Sequence, residues 1–290
     1  MAVRLANAQG RASLIVGEQL VDVERASNGR FGADPMTALA QWGDFAGWAS
    51  GVGRSAATGP LREETLGPCV PRPAKVFAIG LNYKSHAAEG GMALPRQPMI
   101  FTKFPNCLTG PRADVVLSSA YVDWEVELVV VIGRRGAKIA EERVFDYVAG
   151  YCVGQDISDR KLQFRDQPPQ FSMSKSVDTF GPIGPAVVSL DSMPDANDLR
   201  LTCDVAGENM QDARSSDMVF SVSQLVAYIS RFCTFEPGDL IFTGTPSGVG
   251  SVRDPRRYLQ AGEEIVSTIE HLGTMRNRCV AADETATTPQ

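Results

Sequence analysis

The stretch Trp124-Glu125-Val126-Glu127-Leu128-Val129-Val130-Val131-Ile132-Gly133 decides the reading of this chain. Aliphatic and β-branched residues run unbroken from Leu128 to Ile132 and stop at Gly133, the pattern of a buried strand. Alternation along a strand puts Glu125 and Glu127 on one face. Two carboxylates side by side in such a setting repel each other and resist desolvation, so each tends to hold a proton unless a cation sits between them. A divalent metal is the simplest remedy. The alternative is a wet face on which both glutamates keep a sheet edge soluble.

Two further stretches bear on that choice. Tyr151-Cys152-Val153-Gly154-Gln155-Asp156 begins as a strand and turns polar through Ile157-Ser158-Asp159-Arg160-Lys161-Leu162-Gln163, so Asp156 falls where a rigid element delivers a ligand. Glu125, Glu127 and Asp156 then form an all-oxygen set that favours Mg²⁺ or Mn²⁺, with Ca²⁺ less suited. Asp159 and Arg160 read equally well as a loop ion pair. Upstream, the strand Lys75-Val76-Phe77-Ala78-Ile79-Gly80 runs into Leu81-Asn82-Tyr83-Lys84-Ser85-His86-Ala87-Ala88-Glu89. If a short helix starts near Asn82, His86 and Glu89 are neighbours on one face. A carboxylate beside an imidazole holds its tautomer and raises its basicity, as a general base requires; a plain surface hydrogen bond is the other reading. Phe101-Thr102-Lys103-Phe104 reads as strand and loop, which would bring Lys103 near an anion.

Composition bounds the rest. With 290 residues and 43% hydrophobic content, the chain is long enough for a full core: one large domain and a smaller one. No run is long enough to span a membrane, and the start lacks an apolar signal core, so a cytoplasmic protein is expected. The net charge of −6, with no Lys/Arg block, argues against nucleic-acid or anionic-membrane partners. The six cysteines form no CxxC pair and read as reduced, buried small hydrophobes.

Residues 1–68 read as a small N-terminal α+β module. Its hairpin joins Ser13-Leu14-Ile15-Val16 to Leu20-Val21-Asp22-Val23. A helix follows, with Asp34 as N-cap, Pro35 at its first position, and Leu39, Trp42, Ala46 and Ala49 at helical spacing. The segment 51–73 is the expected boundary, 69–282 the catalytic domain, and 283–290 a frayed tail. A helix over 140–147 and a capping-box helix opened by Ser221 and Gln224 are expected, then strands over 240–243 and 264–269. His271 reads as a structural residue in a late strand. The second region is therefore mostly β with a few helices.

Five separated blocks carry a resemblance. They are Leu81-Asn82-Tyr83 with His86 and Glu89; Asp123-Trp124-Glu125-Val126-Glu127-Leu128; Asp156-Ile157-Ser158-Asp159-Arg160 with Gln163; Ser174-Lys175-Ser176 before Asp178-Thr179-Phe180-Gly181-Pro182; and Gly244-Thr245-Pro246-Ser247-Gly248-Val249-Gly250. In this order, over residues 75–280, they resemble the fumarylacetoacetate hydrolase superfamily, which includes acylpyruvate hydrolases and hydroxyheptadienedioate isomerases. The resemblance implies a mixed β-sandwich roll, assembled as a homodimer, that acts on a small 2-oxo acid. It implies Glu125, Glu127 and Asp156 as metal ligands and His86 with Glu89 as a water-activating dyad. Lys175 and Gln163 are implied as polar catalytic groups. Arg160, Thr245, Lys103 and Tyr83 complete the expected substrate contacts. The loop 244–250 lacks a following Gly-Lys-Ser/Thr, and no G-x-S-x-G occurs, so nucleotide binding and serine-triad chemistry are poor readings.

The expected reaction is hydrolysis of the carbon–carbon bond of a 2,4-dioxo acid, an acylpyruvate, to pyruvate and a carboxylic acid. Decarboxylation of oxaloacetate and isomerisation of 2-hydroxydienoates pass through the same enolate and are the alternatives. A third reading is an oxo-acid-binding protein without turnover. The loop 165–170 lies beside the expected site, where specificity could be set, and leaves the acyl group open.

Overall fold

A computed structural model describes residues 2–282, so the expected tail at 283–290 lies outside the described residues. Strand Val126–Ile132 is the middle of the architecture, and all seven of its residues are buried. It pairs antiparallel with Val148–Gln155 on one side and with Leu240–Phe242 on the other. Leu128, Val130 and Ile132 pack into one apolar cluster, Val129 and Val131 into a second. Burial on both faces explains why the strand reads as a continuous apolar run instead of an alternating one.

The sheet extends outward from this strand. On one side Gly181–Val188 follows Val148–Gln155, then Arg4–Ala8, Arg11–Val16, Gln19–Asp22 and Gly59–Pro60. On the other, Leu240–Phe242 pairs parallel with Val76–Gly80, which pairs with Met99–Thr102. The N-terminal strands thus join the large sheet directly, through Leu5 opposite Val187. A second sheet, ordered Glu208–Arg214, Arg200–Val205, Glu264–Ile269, Gly273–Ala281 and Val115–Leu117, packs over the first. Leu201, Cys203, Ile265 and Met275 from this sheet meet Leu128 and Val153 in the larger cluster. On the opposite face Leu39 and Phe45 from the N-terminal helices, with Phe31 from the loop before them, pack in the cluster of Val129 and Val131. The molecule is therefore mostly β, with mixed sheets and few helices.

Several local expectations hold. Asp34 caps Pro35–Ala40 by accepting the Met36 N–H at 3.0 Å. Ser221 and Gln224 form a reciprocal capping box on Val222–Ser230, worth about 1 kcal/mol for the cap side chain. The hairpin pairs Arg11–Val16 with Gln19–Asp22. Others differ. The single helix expected across Trp42 is two, Pro35–Ala40 and Trp42–Ala49, because Gln41 leaves helical geometry at φ −118°, ψ 32°. The expected helix at 140–147 is a 3₁₀ helix, Glu141–Asp146, which lies directly before strand Val148–Gln155 and takes the tighter geometry common in short connecting pieces. His271 lies in the turn between Glu264–Ile269 and Gly273–Ala281, at φ +65°, and not in a strand. Among the described residues no helix is long and apolar enough to cross a membrane.

Candidate functional site

Strand pairing builds the centre of the site. Glu127 is the second residue of its strand and lies opposite Gly154, while Asp156 follows directly after the end of the neighbouring antiparallel strand. Glu125 precedes its strand, and its carbonyl accepts the Asp156 N–H at 2.9 Å. The start of one strand and the end of the next therefore coincide. Carboxylate oxygens of Glu125, Glu127 and Asp156 all lie within 4.8 Å of one another, and all three residues are buried. Gln155 fixes the bend by accepting the Glu125 N–H at 2.9 Å and donating to Ser267 Oγ at 2.9 Å.

Three cations surround these acids. Lys175 Nζ donates to Glu125 Oε2 at 2.9 Å, to Asp156 Oδ2 at 2.7 Å and to Ser158 Oγ at 2.7 Å. Arg160 donates to Glu125 Oε1 at 2.6 Å, Asp123 Oδ2 at 2.9 Å and Gln163 Oε1 at 2.9 Å. The loop pairing of Arg160 with Asp159 does not occur: Asp159 instead caps the helix Arg160–Gln163, accepting the Leu162 N–H. The third cation is Lys103, expected to meet a substrate anion. Its ammonium donates to Asp156 Oδ1 at 2.6 Å and to the carbonyls of Lys175 and Phe180, and its side chain is fully buried. All three of its protons are therefore committed within the protein.

Burial raises the Glu125 carboxyl, but Lys175 and Arg160 outweigh it and hold its pKa at about 2. Glu127 goes the other way. Burial, then Asp156 and Glu125, push it well above the usual carboxylate range, and among the described residues no side-chain cation bonds it; its Oε2 accepts the Gly244 N–H at 2.8 Å. Burial works against the Lys175 ammonium, yet Asp156 and Glu125 more than offset this, so its pKa is raised and it stays charged. A buried carboxylate without a cation, beside two further carboxylates and no His or Cys ligand, fits a divalent metal bound through oxygen.

Helix Lys84–Glu89 carries the other half of the site. His86 Nδ1 lies 3.5 Å from Glu89 Oε2, longer than a formed hydrogen bond and in the range catalytic pairs show before a substrate closes the site. Both Glu89 oxygens accept the Gly248 N–H at 3.1 Å, which ties this helix to the loop at 244–250. Thr245 Oγ1 donates to the Val126 carbonyl at 3.0 Å and accepts from Gln211 Nε2 at 2.8 Å. Asp123 binds the same loop by accepting the N–H groups of Gly250 and Ser251 at 2.7 and 3.0 Å.

A pocket of about 330 Å³ brings together His86, Glu125, Arg160, Gln163, Lys175 and Thr245 on its wall. Glu127 and Asp156 lie off this wall, grouped with Glu125. Two of the expected substrate contacts are absent from it. Lys103 is spent on Asp156, and Tyr83, fully buried, supplies the N-cap position of helix Lys84–Glu89. Sequence reasoning assigned no role to Gln155, Gln211 or Asp123. Only Asp123 carried a signal, its place in the D-W-E-x-E block; the two glutamines act across a sheet register that no local pattern reveals.

The fold and the site define a mostly β protein in which three buried carboxylates cluster beside a pocket that His86 lines. The chain belongs to the fumarylacetoacetate hydrolase family: the family model described as fumarylacetoacetate (FAA) hydrolase C-terminal matches residues 75–280. A curated relative, the human mitochondrial oxaloacetate tautomerase FAHD2A, is 44% identical over 76% of this chain and 71% of its own length. Among solved structures, a Mycobacterium smegmatis protein assigned the name HpcE is 46% identical, with a TM-score of 0.91 over 97% of this chain and 100% of that one. Maleylpyruvate hydrolase from Sphingobium sp. SYK-6, solved with manganese(II) and pyruvate, is 27% identical, with a TM-score of 0.81 over 97% of this chain and 100% of that one.

Proposed function

We propose that this chain is a Mg²⁺- or Mn²⁺-dependent enzyme that forms the enolate of the pyruvyl half of a 2-oxo acid, and that it hydrolyses the C3–C4 bond of an acylpyruvate. The observation that carries this reading is His86, which faces Glu89, on the wall of the same pocket as Glu125 and Lys175. A divalent cation held by Glu125, Glu127 and Asp156 supplies positive charge for the substrate's carboxylate and 2-oxo oxygen, which favours the enolate.

The protein's own groups do the rest. Nδ1 of His86 is turned to Glu89, which leaves Nε2 free to take a proton from water. The hydroxide attacks C4, the C3–C4 bond breaks, and its electron pair moves to C3. The acyl half leaves as a carboxylic acid, and the enolate is protonated at C3 to give pyruvate. General-base assistance of this kind contributes about 10²- to 10⁴-fold. Lys175, kept protonated by Asp156 and Glu125, adds fixed positive charge beside the developing enolate and is unsuited to be the base. Arg160 holds Gln163 Oε1, which leaves the amide N–H₂ of Gln163 to donate into the pocket.

Oxaloacetate tautomerisation is the second reading, favoured by the 44% identity to FAHD2A. It shares the substrate of the decarboxylase alternative but moves only a proton between C3 and the 2-oxygen. One experiment separates the outcomes. Acylpyruvates and enol-oxaloacetate are followed by ultraviolet absorbance with Mn²⁺, Mg²⁺ or EDTA, and pyruvate is quantified at the end. Metal-dependent loss of an acylpyruvate with one pyruvate per turnover, abolished in His86→Ala, is the expected result. Accelerated decay of enol-oxaloacetate without pyruvate, and no acylpyruvate cleavage, would replace hydrolysis by tautomerisation.

A further inference from the structure

The pocket wall carries two unlike sets of side chains, and only the polar set is used by the chemistry above. The other is built from separate chain segments: Met92 after helix Lys84–Glu89, Met99 and Phe101 on the edge strand Met99–Thr102, Phe164 and Phe171 around the loop at 165–170, and Val252 beyond the loop at 244–250. Phe101 touches both sets: its ring lies tilted against Phe171, with centroids 5.6 Å apart, and 5.4 Å from the Lys175 ammonium. Phe164, Met92 and Met99 are 56%, 42% and 40% exposed, apolar surface that a bound group would cover.

Charge argues the same way. Arg160 and Lys175 are the guanidinium and ammonium on the wall, and both are bound to Glu125 and its neighbours. A carboxylate carried among the apolar side chains would lose its water without gaining a cation. Oxaloacetate has four carbons, so both of its carboxylates can stay by the polar set, and the apolar set would then go unused.

We infer that the apolar set on this pocket's wall selects 2-oxo acids whose distal group is a hydrocarbon chain or aryl ring, in preference to dicarboxylic substrates of the same length. This rests on the reading that the pyruvyl half binds at Glu125 and Lys175, but it does not require turnover. The test is accordingly a binding measurement. Affinities of Mn²⁺-loaded protein are measured by calorimetry for straight-chain 2-oxo acids from four to eight carbons, for phenylpyruvate, and for 2-oxoadipate as the dicarboxylate.

Affinity should rise about fourfold per added methylene, the transfer preference of one CH₂. 2-Oxohexanoate should bind at least tenfold more tightly than 2-oxoadipate. Val252→Arg, which adds a cation among the apolar side chains, should reverse that order. Affinity that is flat with chain length, or greater for 2-oxoadipate in the parent protein, would overturn the inference. Chain-length dependence without acylpyruvate cleavage would support it while removing hydrolysis. Absence of binding by every oxo acid would overturn both.

Discussion

The ammonium of Lys103 and the carboxylate of Asp156 meet at 2.6 Å with both side chains fully buried, so one member of the proposed metal-binding triad is held by a cation that lies off the pocket wall. Removing one partner of such a pair leaves an uncompensated charge and costs about 3–5 kcal/mol. Lys103→Met should therefore lower the urea midpoint strongly in EDTA, with partial recovery in Mn²⁺. An unchanged midpoint with a raised KM would instead return Lys103 to the substrate.

Glu127 presents the opposite case. Among the described residues no side-chain cation bonds it and two carboxylates lie beside it, so its charged form is unfavourable in the metal-free protein. Glu127→Gln should be as stable as the parent in EDTA, or more so, because an amide is neutral without taking up the proton that burial demands of Glu127. The parent should gain about 2.7 kcal/mol at Mn²⁺ concentrations a hundredfold above Kd, and the variant should gain little. Thermal unfolding with and without Mn²⁺ reads both. A variant that retains the full metal-dependent gain would remove Glu127 from the ligand set.

What the sequence revealed and what it hid divide along sequence distance. Glu125 and Glu127 were legible because alternation along one strand is a local rule, and Asp156 because a strand running into polar residues marks its own end. The Ser221–Gln224 box was equally local. Lys103 bonds an acid 53 residues away and Gln211 bonds the backbone of Val126, 85 residues away. Neither partner follows from periodicity; each depends on how the two sheets settle against each other. Arg160 shows the same limit, since Asp159 beside it was the obvious partner and Asp123 and Glu125 won. The break at Gln41 was hidden because apolar spacing continues through it.

Asp22 links stability to pH at the edge of the large sheet. Its carboxylate lies 2.7 Å from Arg11 Nε and caps helix Val23–Ala26 by accepting the Arg25 N–H at 3.0 Å. Burial raises its pKa, but the Arg11 hydrogen bond and the Arg25 N–H together lower it below the usual value. A depressed folded-state pKa gives stability that is present above the ordinary carboxylate value and lost as pH falls through the folded one. Asp22→Asn keeps the cap and removes the charge. The variant should be less stable than the parent at pH 7, and the gap should close as pH falls through the lowered folded-state value, measured by urea midpoints. A gap that persists in acid would assign the effect to packing instead.

Gly248 joins the His86–Glu89 pair to the rest of the site. Its N–H serves both Glu89 oxygens, its carbonyl accepts Trp124 Nε1 at 3.1 Å, and it sits at φ +102°. A Cβ there would lie 2.0 Å from the Met210 carbonyl oxygen, so Gly248→Ala must displace the backbone as well as adopt a strained conformation. The strain is about 1–3 kcal/mol. Glu89 then loses its anchor, and kcat should fall about a hundredfold as the base loses its orientation. Mn²⁺ affinity should stay near the parent value, since Glu125 and Asp156 keep their Lys175 bonds. Glu89→Gln is the companion, keeping an acceptor for the Gly248 N–H while losing the charge that faces His86. It should lower kcat without lowering the unfolding midpoint. If Gly248→Ala lowers the midpoint but leaves kcat intact, the loop does not position the pair, and Glu89 must hold His86 by itself.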